Sequence, residues 1–152
     1  MVNFLKNVIK YFIPWMNQNE KIYALYKKSN KFFKNGKKVM ASYYMNKIYK
    51  RFGCIISPSA EIGYNFKLPH PVGIIIGEGV KIGNNCVIYQ NVTLGRKSKD
   101  IAKYPMIGNN VIIYCNSVIV GDIKIGDNAI IGCNSTILRD VEPNSRCVGV
   151  VK

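Results

Sequence analysis

His70 is the only histidine in the chain, and it stands between Pro69 and Pro71. Imidazole is the side chain best suited to moving protons near neutral pH, which makes His70 the first candidate for general acid–base chemistry. A lone histidine is more often structural than catalytic. Here two prolines stiffen the backbone that carries it, and it interrupts an otherwise strict repeat. A second group, Arg96, Lys97, Lys99 and Lys103, gathers cations in one short segment. These suit contact with phosphates or another anion, and a solvated charge run is the plainer alternative. Five cysteines (Cys54, Cys86, Cys115, Cys133 and Cys147) form no C-x-x-C pair and have no histidine nearby. That spacing fits neither a disulfide framework nor a zinc site, so reduced thiols and no metal are expected.

Such groups need a scaffold, and the scaffold is written in a period of six. From Ile56 onward large aliphatics recur at Ile56, Ile62 and Leu68, then Ile76, Ile82, Ile88 and Leu94, then Ile107, Ile113, Ile119, Ile125, Ile131 and Ile137. Four residues after most of them stands a small or aliphatic residue, among them Ala60, Val80, Cys86, Val92, Val111, Ala129, Ser135 and Val141. Three residues after them, Asn recurs at 65, 85, 91, 110, 116, 128 and 134, with Gly79, Asp122 and Asp140 filling further places. Asn, Asp and Gly tolerate left-handed backbone and tight corners better than other residues. Six residues make one short extended side and one corner, and three sides close a triangular coil of roughly eighteen residues. Each aliphatic then points inward and stacks on its counterpart one coil along, with parallel backbone pairing between coils. The expected fold is mainly β, a left-handed parallel β-helix. A sandwich of short strands would place its turns irregularly, at about 8–12 residue spacing.

The period breaks twice. Two extra residues fall around Pro69-His70-Pro71, and seven extra fall between Leu94 and Ile107. The second break predicts a loop over 95–106 projecting from one corner. Breaks in a regular repeat are where function is expected.

Residues 1–52 read as a basic helical segment and 53–152 as the β-helix. The first part carries twelve Lys or Arg against the single acid Glu20, whereas the second carries ten against seven acids. Helical patterning covers 4–13, 17–34 and 37–52, with breaks near Pro14 and Asn35-Gly36. In the last helix Val39, Met40, Tyr43, Tyr44, Ile48 and Phe52 approximate one apolar face among lysines. That face suits packing on the β-helix end or on a sister subunit, with an anionic membrane surface as the alternative. No recognised nucleic-acid motif is present. Neither a signal peptide nor a membrane-spanning stretch is evident, so a cytoplasmic protein is expected, either free or peripheral at the inner face of the membrane.

The stretches Ile56-Ser-Pro-Ser-Ala-Glu-Ile-Gly63, His70-Pro-Val-Gly-Ile-Ile-Ile76 and Ile88-Tyr-Gln-Asn-Val-Thr-Leu-Gly95 resemble the serine acetyltransferase branch of the hexapeptide-repeat acyltransferases. Val141-Glu-Pro-Asn-Ser145 and Val148-Gly-Val150 resemble that branch's closing segment, without the usual proline after Gly-Val. The resemblance covers residues 53–152. It implies a homotrimeric O-acetyltransferase using acetyl-CoA, bound between adjacent prisms. His70 falls on the general base that frees an acceptor hydroxyl for direct attack on the thioester, with no covalent acyl-enzyme. Backbone N–H groups or a neighbouring polar group would steady the oxyanion. Thr93, Gly95, Tyr114, Cys115, Gly132 and Cys133 fall on donor-binding positions, the two cysteines matching small residues that flank the CoA arm.

Three departures bear on the acceptor. The family's histidine-orienting aspartate corresponds to Ile55, the acceptor-binding aspartate before the histidine to Pro69, and an Arg-His pair in the loop to Lys103-Tyr104. A free amino acid would meet unpaired charges there, at high cost. The expected acceptor is therefore a sugar hydroxyl in capsule, exopolysaccharide or O-antigen biosynthesis, with L-serine as the alternative. With Ile55 in place of the aspartate, a backbone carbonyl or Glu78 is left to orient His70. A γ-class carbonic anhydrase is excluded by the single histidine, and a sugar-nucleotide pyrophosphorylase by the absence of room for a nucleotide domain. A non-catalytic repeat scaffold remains as the reading from a different class.

Overall fold

The computed structural model describes residues 18–100 and 102–152. The helix expected over 4–13 lies outside the described residues. Among the described residues, fourteen short strands, numbered in chain order, stack into the three faces of a prism. The first face holds β1 (Ile55–Ile56), β3 (Ile75–Ile76), β6 (Thr93–Gly95), β9 (Val118–Val120), β12 (Thr136–Ile137) and β14 (Val150–Val151). The second holds β2 (Glu61–Ile62), β4 (Lys81–Ile82), β7 (Met106–Ile107) and β10 (Lys124–Ile125). The third holds β5 (Val87–Ile88), β8 (Ile112–Ile113), β11 (Ile130–Ile131) and β13 (Arg146–Cys147). Every pairing is parallel and in register, as in Ile82↔Ile107 and Ile113↔Ile131.

Two-residue strands suffice because each presents one residue inward and one outward. All thirteen period-six aliphatics are buried, and so are the small residues four places after them. The corners explain the asparagines. Asn65, Asn85, Asn110 and Asn128, with Asn144, adopt φ of 51–60° along the edge between the second and third faces. Their side chains form a ladder, each amide donating to the next coil's Asn Oδ1 at 2.9–3.0 Å. Asp122 and Asp140 do not share this conformation, contrary to expectation; Gly121 (φ 112°) takes the left-handed place, and Asp140 Oδ1 instead accepts from the Lys124 N–H at 2.8 Å.

The final coil is shorter than the repeat predicts. Val141 bridges Ile125, so it fills the inward place on the second face only four residues after Ile137. Val141 therefore belongs to the inward column of the second face and not to the small-residue series expected for it.

An exposed first coil would leave a row of unpaired backbone groups, a hazard of any sheet edge. The helix α1 (Gln18–Lys34) covers it. Asn19, Tyr23, Tyr26 and Asn30 recur along one side of α1, and each reaches the coil's backbone. Asn19 Oδ1 accepts from the Leu68 N–H at 2.7 Å, and its amide donates to the Phe66 carbonyl at 3.4 Å. The hydroxyls of Tyr23 and Tyr26 donate to the Gly63 and Ala60 carbonyls, each at 2.7 Å, and the Asn30 amide donates to the Pro58 carbonyl at 2.8 Å. Burial pushes the Tyr26 phenol well above its ordinary pKa, so it stays a donor. Asn19→Ala strands a backbone donor and an acceptor, and we expect a loss of about 1–2 kcal/mol, read as a lower urea midpoint with unchanged far-UV spectrum.

A Schellman turn ends α1, with Lys37 N–H donating to the Phe32 carbonyl at 2.9 Å and Gly36 at φ 73°. The helix α2 (Lys38–Phe52) then returns and stops at Gly53, φ 63°. Its buried residues are Ala41, Ile48 and Phe52, and the Ser29 hydroxyl ties the hairpin by donating to the Ala41 carbonyl at 2.7 Å. The apolar face expected here is only partly buried. Ile48 and Phe52 pack inward, whereas Val39, Met40 and Tyr43 are exposed.

Candidate active site

The count of sides places each candidate on an edge. His70 follows Leu68, so it lies on the third edge, where the third face turns back to the first. Two inserted residues bulge this corner, with Val72 N–H donating to the His70 carbonyl at 2.8 Å and Gly73 at φ 65°. The imidazole is exposed. One coil along, the Tyr89 ring lies 6.1 Å from it, tilted by 50°. Tyr114 stacks on Tyr89 in the next coil, at 5.1 Å and 19°. Gly132 takes the following place, where a side chain would meet Val148, so the aromatic row ends there. Cys115 and Cys133 follow on the same edge, joined by Asn134 N–H donating to the Cys115 carbonyl at 3.0 Å. Cys133 is exposed and Cys115 half-buried, whereas Cys54 and Cys86 are buried and burial pushes their thiols up.

His70, Tyr114, Cys115, Gly132 and Cys133 thus come together along one edge. Thr93 and Gly95 do not join them: Thr93 sits outward on the first face between Ile75 and Val118, and Gly95 ends β6. The row from His70 through Tyr89 to Tyr114 was not singled out in the sequence. Its signal was available, because Tyr89 and Tyr114 differ by one coil plus the seven-residue insertion.

The loop leaves from the first edge, between the first and second faces. Within one chain it is therefore remote from His70. Its return limb is anchored: the Lys103 ammonium pairs with Asp122 at 2.5 Å, which raises its pKa, and the Tyr104 ring lies over Gly79, where a Cβ would collide with it. Arg96 donates to the Lys99 carbonyl at 3.3 Å. Lys97 and Lys99 point their exposed charges outward.

Glu78 stands on that same first edge, lining a cavity with Ser57, Ser59, Lys38 and Met45. It is not a partner for His70, and among the described residues no side chain or carbonyl hydrogen-bonds the ring. The neighbour that restricts the imidazole within one chain is Tyr89.

The prism and its bulged histidine edge define a left-handed β-helix of hexapeptide repeats, and residues 104–139 match the family described as bacterial transferase hexapeptide (six repeats). The relatives are serine acetyltransferases. That of Staphylococcus aureus (strain COL) is 42% identical over 118 residues, covering 76% of this chain and 55% of the relative. The Neisseria gonorrhoeae enzyme in complex with serine superposes with a TM-score of 0.80 at 36% identity, over 84% of this chain and 53% of that one. The Brucella abortus enzyme in complex with coenzyme A gives 0.82 at 28%, over 85% and 52%. The chain spans about half the length of these proteins.

These relatives overturn the expectation of a sugar acceptor in capsule, exopolysaccharide or O-antigen biosynthesis. The three aligned positions are not the chain's whole charge supply. Among the described residues the loop cations Arg96, Lys97 and Lys99 have no carboxylate partner, so they stay available to an anion.

Proposed function

We propose that the chain is an acetyl-CoA-dependent O-acetyltransferase whose acceptor is L-serine. The observation that carries this reading is the exposed His70 imidazole on the bulged third edge, beside the Tyr89–Tyr114 row and the Cys115–Cys133 pair. His70 takes the proton from the serine hydroxyl as its oxygen attacks the thioester carbonyl. It then returns that proton to the sulfur as the carbon–sulfur bond breaks, leaving O-acetylserine and free CoA thiol. Tyr114, Cys115, Gly132 and Cys133 line the donor's arm. Thr93 and Gly95 contribute from the adjoining face.

The outward residues favour a homotrimer. The second face presents mostly charges, with Glu61 paired to Lys81 at 3.4 Å and Lys124 beyond the single apolar Met106. The other two present Ile55, Ile75 and Val118 with Thr93 and Thr136, and Val87, Ile112 and Ile130 between Lys67 and Arg146 at the ends. Those apolar faces flank the third edge, so covering them buries apolar area at about 25 cal/mol per Å² and brings a neighbour to His70. The neighbour's loop, with Arg96, Lys97 and Lys99, then supplies the cations the third edge lacks. CoA thiol release from acetyl-CoA tests the reading. Saturable, L-serine-dependent release is expected, and a rate that ignores L-serine sinks it.

A further inference from the structure

Three of the hairpin's cations, Lys47, Lys50 and Arg51, cluster in the last two turns of α2. Helix α2 has no acidic residue, and its buried line is Ala41, Ile48 and Phe52. By helical geometry the opposite line carries Val39, Tyr43 and Lys50, with Lys47 beside them. Val39 is 84% exposed and Tyr43 49%. Large apolar side chains held this far into water on a cationic helix form an amphipathic surface.

A cavity adds a second, independent feature. Where α2 crosses α1, a pocket of 360 Å³ is lined by Leu25, Lys47, Lys50 and Arg51. Leu25 belongs to the half-buried layer packed on the core, so the pocket has an apolar floor and a cationic rim. None of the three cations has a carboxylate partner among the described residues. Lys47 lies over the Tyr43 ring at 4.6 Å, and the Arg51 guanidinium sits 5.5 Å from the Phe52 ring.

We propose that the outward face of α2 docks on an anionic lipid surface, with Val39 and Tyr43 entering the interface and Lys47, Lys50 and Arg51 pairing with lipid phosphates. The charge pattern selects this occupant over a second copy. Residues 18–52 hold ten Lys or Arg against Glu20, so two such hairpins face to face would repel. No helix among the described residues is long and apolar enough to cross a membrane, so the contact lies along the surface. The third edge and its histidine are not part of it.

Flotation of the full chain with vesicles tests this. Vesicles of three parts phosphatidylcholine to one part phosphatidylglycerol should carry the protein at low salt. Pure phosphatidylcholine vesicles should not, and raising the salt should release it. The variant K47Q/K50Q/R51Q should weaken partitioning by about a hundredfold, at roughly fivefold per cation removed. V39S/Y43S should weaken it independently, because an electrostatic contact alone would not notice the change. Both variants should keep the wild-type circular dichroism and L-serine-dependent rate. Equal binding to neutral vesicles overturns the proposal, as does no flotation. Retention on duplex DNA without vesicle binding, or a concentration-dependent doubling of mass lost in K47Q/K50Q/R51Q, overturns it too.

Discussion

If the proposed function holds, His70→Ala should lower kcat for L-serine acetylation by about 10²–10⁴-fold, the range typical for loss of a general base, and leave the KM for acetyl-CoA nearly unchanged. The split follows from placement. His70 sits on the exposed corner between Pro69 and Pro71, where it can meet a hydroxyl, whereas the proposed donor contacts fall to Tyr114, Cys115, Gly132 and Cys133 further along the edge. On that proposal, removing the imidazole takes away the proton acceptor at the transition state and leaves the donor groove. The fold tolerates the change, because the ring is exposed and accepts no load from the core. Steady-state kinetics by thiol release, with acetyl-CoA binding measured separately by calorimetry, check it. A variant that keeps more than about a tenth of the wild-type kcat assigns proton removal to another group.

Tyr89 offers a graded companion measurement within the same experiment. Its ring is the neighbour that limits His70 in one chain, so Tyr89→Phe should keep kcat and Tyr89→Ala should reduce it.

Much of this molecule is legible from the residues because the β-helix repeats one local rule. Each Ile or Leu of the period-six series is buried, and each Asn of the accompanying series adopts the left-handed corner. Counting sides also tells which edge a residue occupies. Glu78 follows Ile76 and so belongs to the first edge, whereas His70 follows Leu68 and belongs to the third. Proximity in sequence alone suggested a partnership that the three-sided count forbids. Other features lay beyond the rule. Val141 was misplaced because the final coil drops two residues from its first corner, with Asp140 capping the Lys124 N–H there. The polar face of α1 went unread because amphipathic patterning looks for apolar stripes. Asn19, Tyr23, Tyr26 and Asn30 form a stripe of donors instead, matched to carbonyls of the first coil. The acceptor was misjudged for a related reason. The aligned positions Ile55, Pro69 and Lys103-Tyr104 leave out the loop cations Arg96, Lys97 and Lys99, none of which has a carboxylate partner among the described residues.

The largest stability effect is expected at Ile113, in the middle of the column that runs from Leu68 through Ile88, Ile113 and Ile131 to Cys147 on the third face. Ile113 is fully buried, and its strand is paired on both sides, with Ile88 and Ile131 in register. Ile113→Ala removes three buried carbons and leaves a cavity bounded by backbone. The backbone cannot collapse into that space, because Tyr89 N–H and Tyr114 N–H are fixed to the carbonyls of Ile113 and Ile131 at 3.0 and 2.9 Å. A cost toward the upper end of the large-to-small range, about 4 kcal/mol, follows. Stacked coils contact only their neighbours, so the cost depends on position. At the C-terminal end Val151 is half-buried and β14 pairs on one side only, with β12. Val151→Ala should therefore cost less than about 1 kcal/mol. Urea titrations of both variants, followed by far-UV circular dichroism, check the contrast. Equal losses at the two sites would mean that the prism does not unfold by local stacking rules. A normal midpoint for Ile113→Ala would mean that the column is not close-packed at its centre.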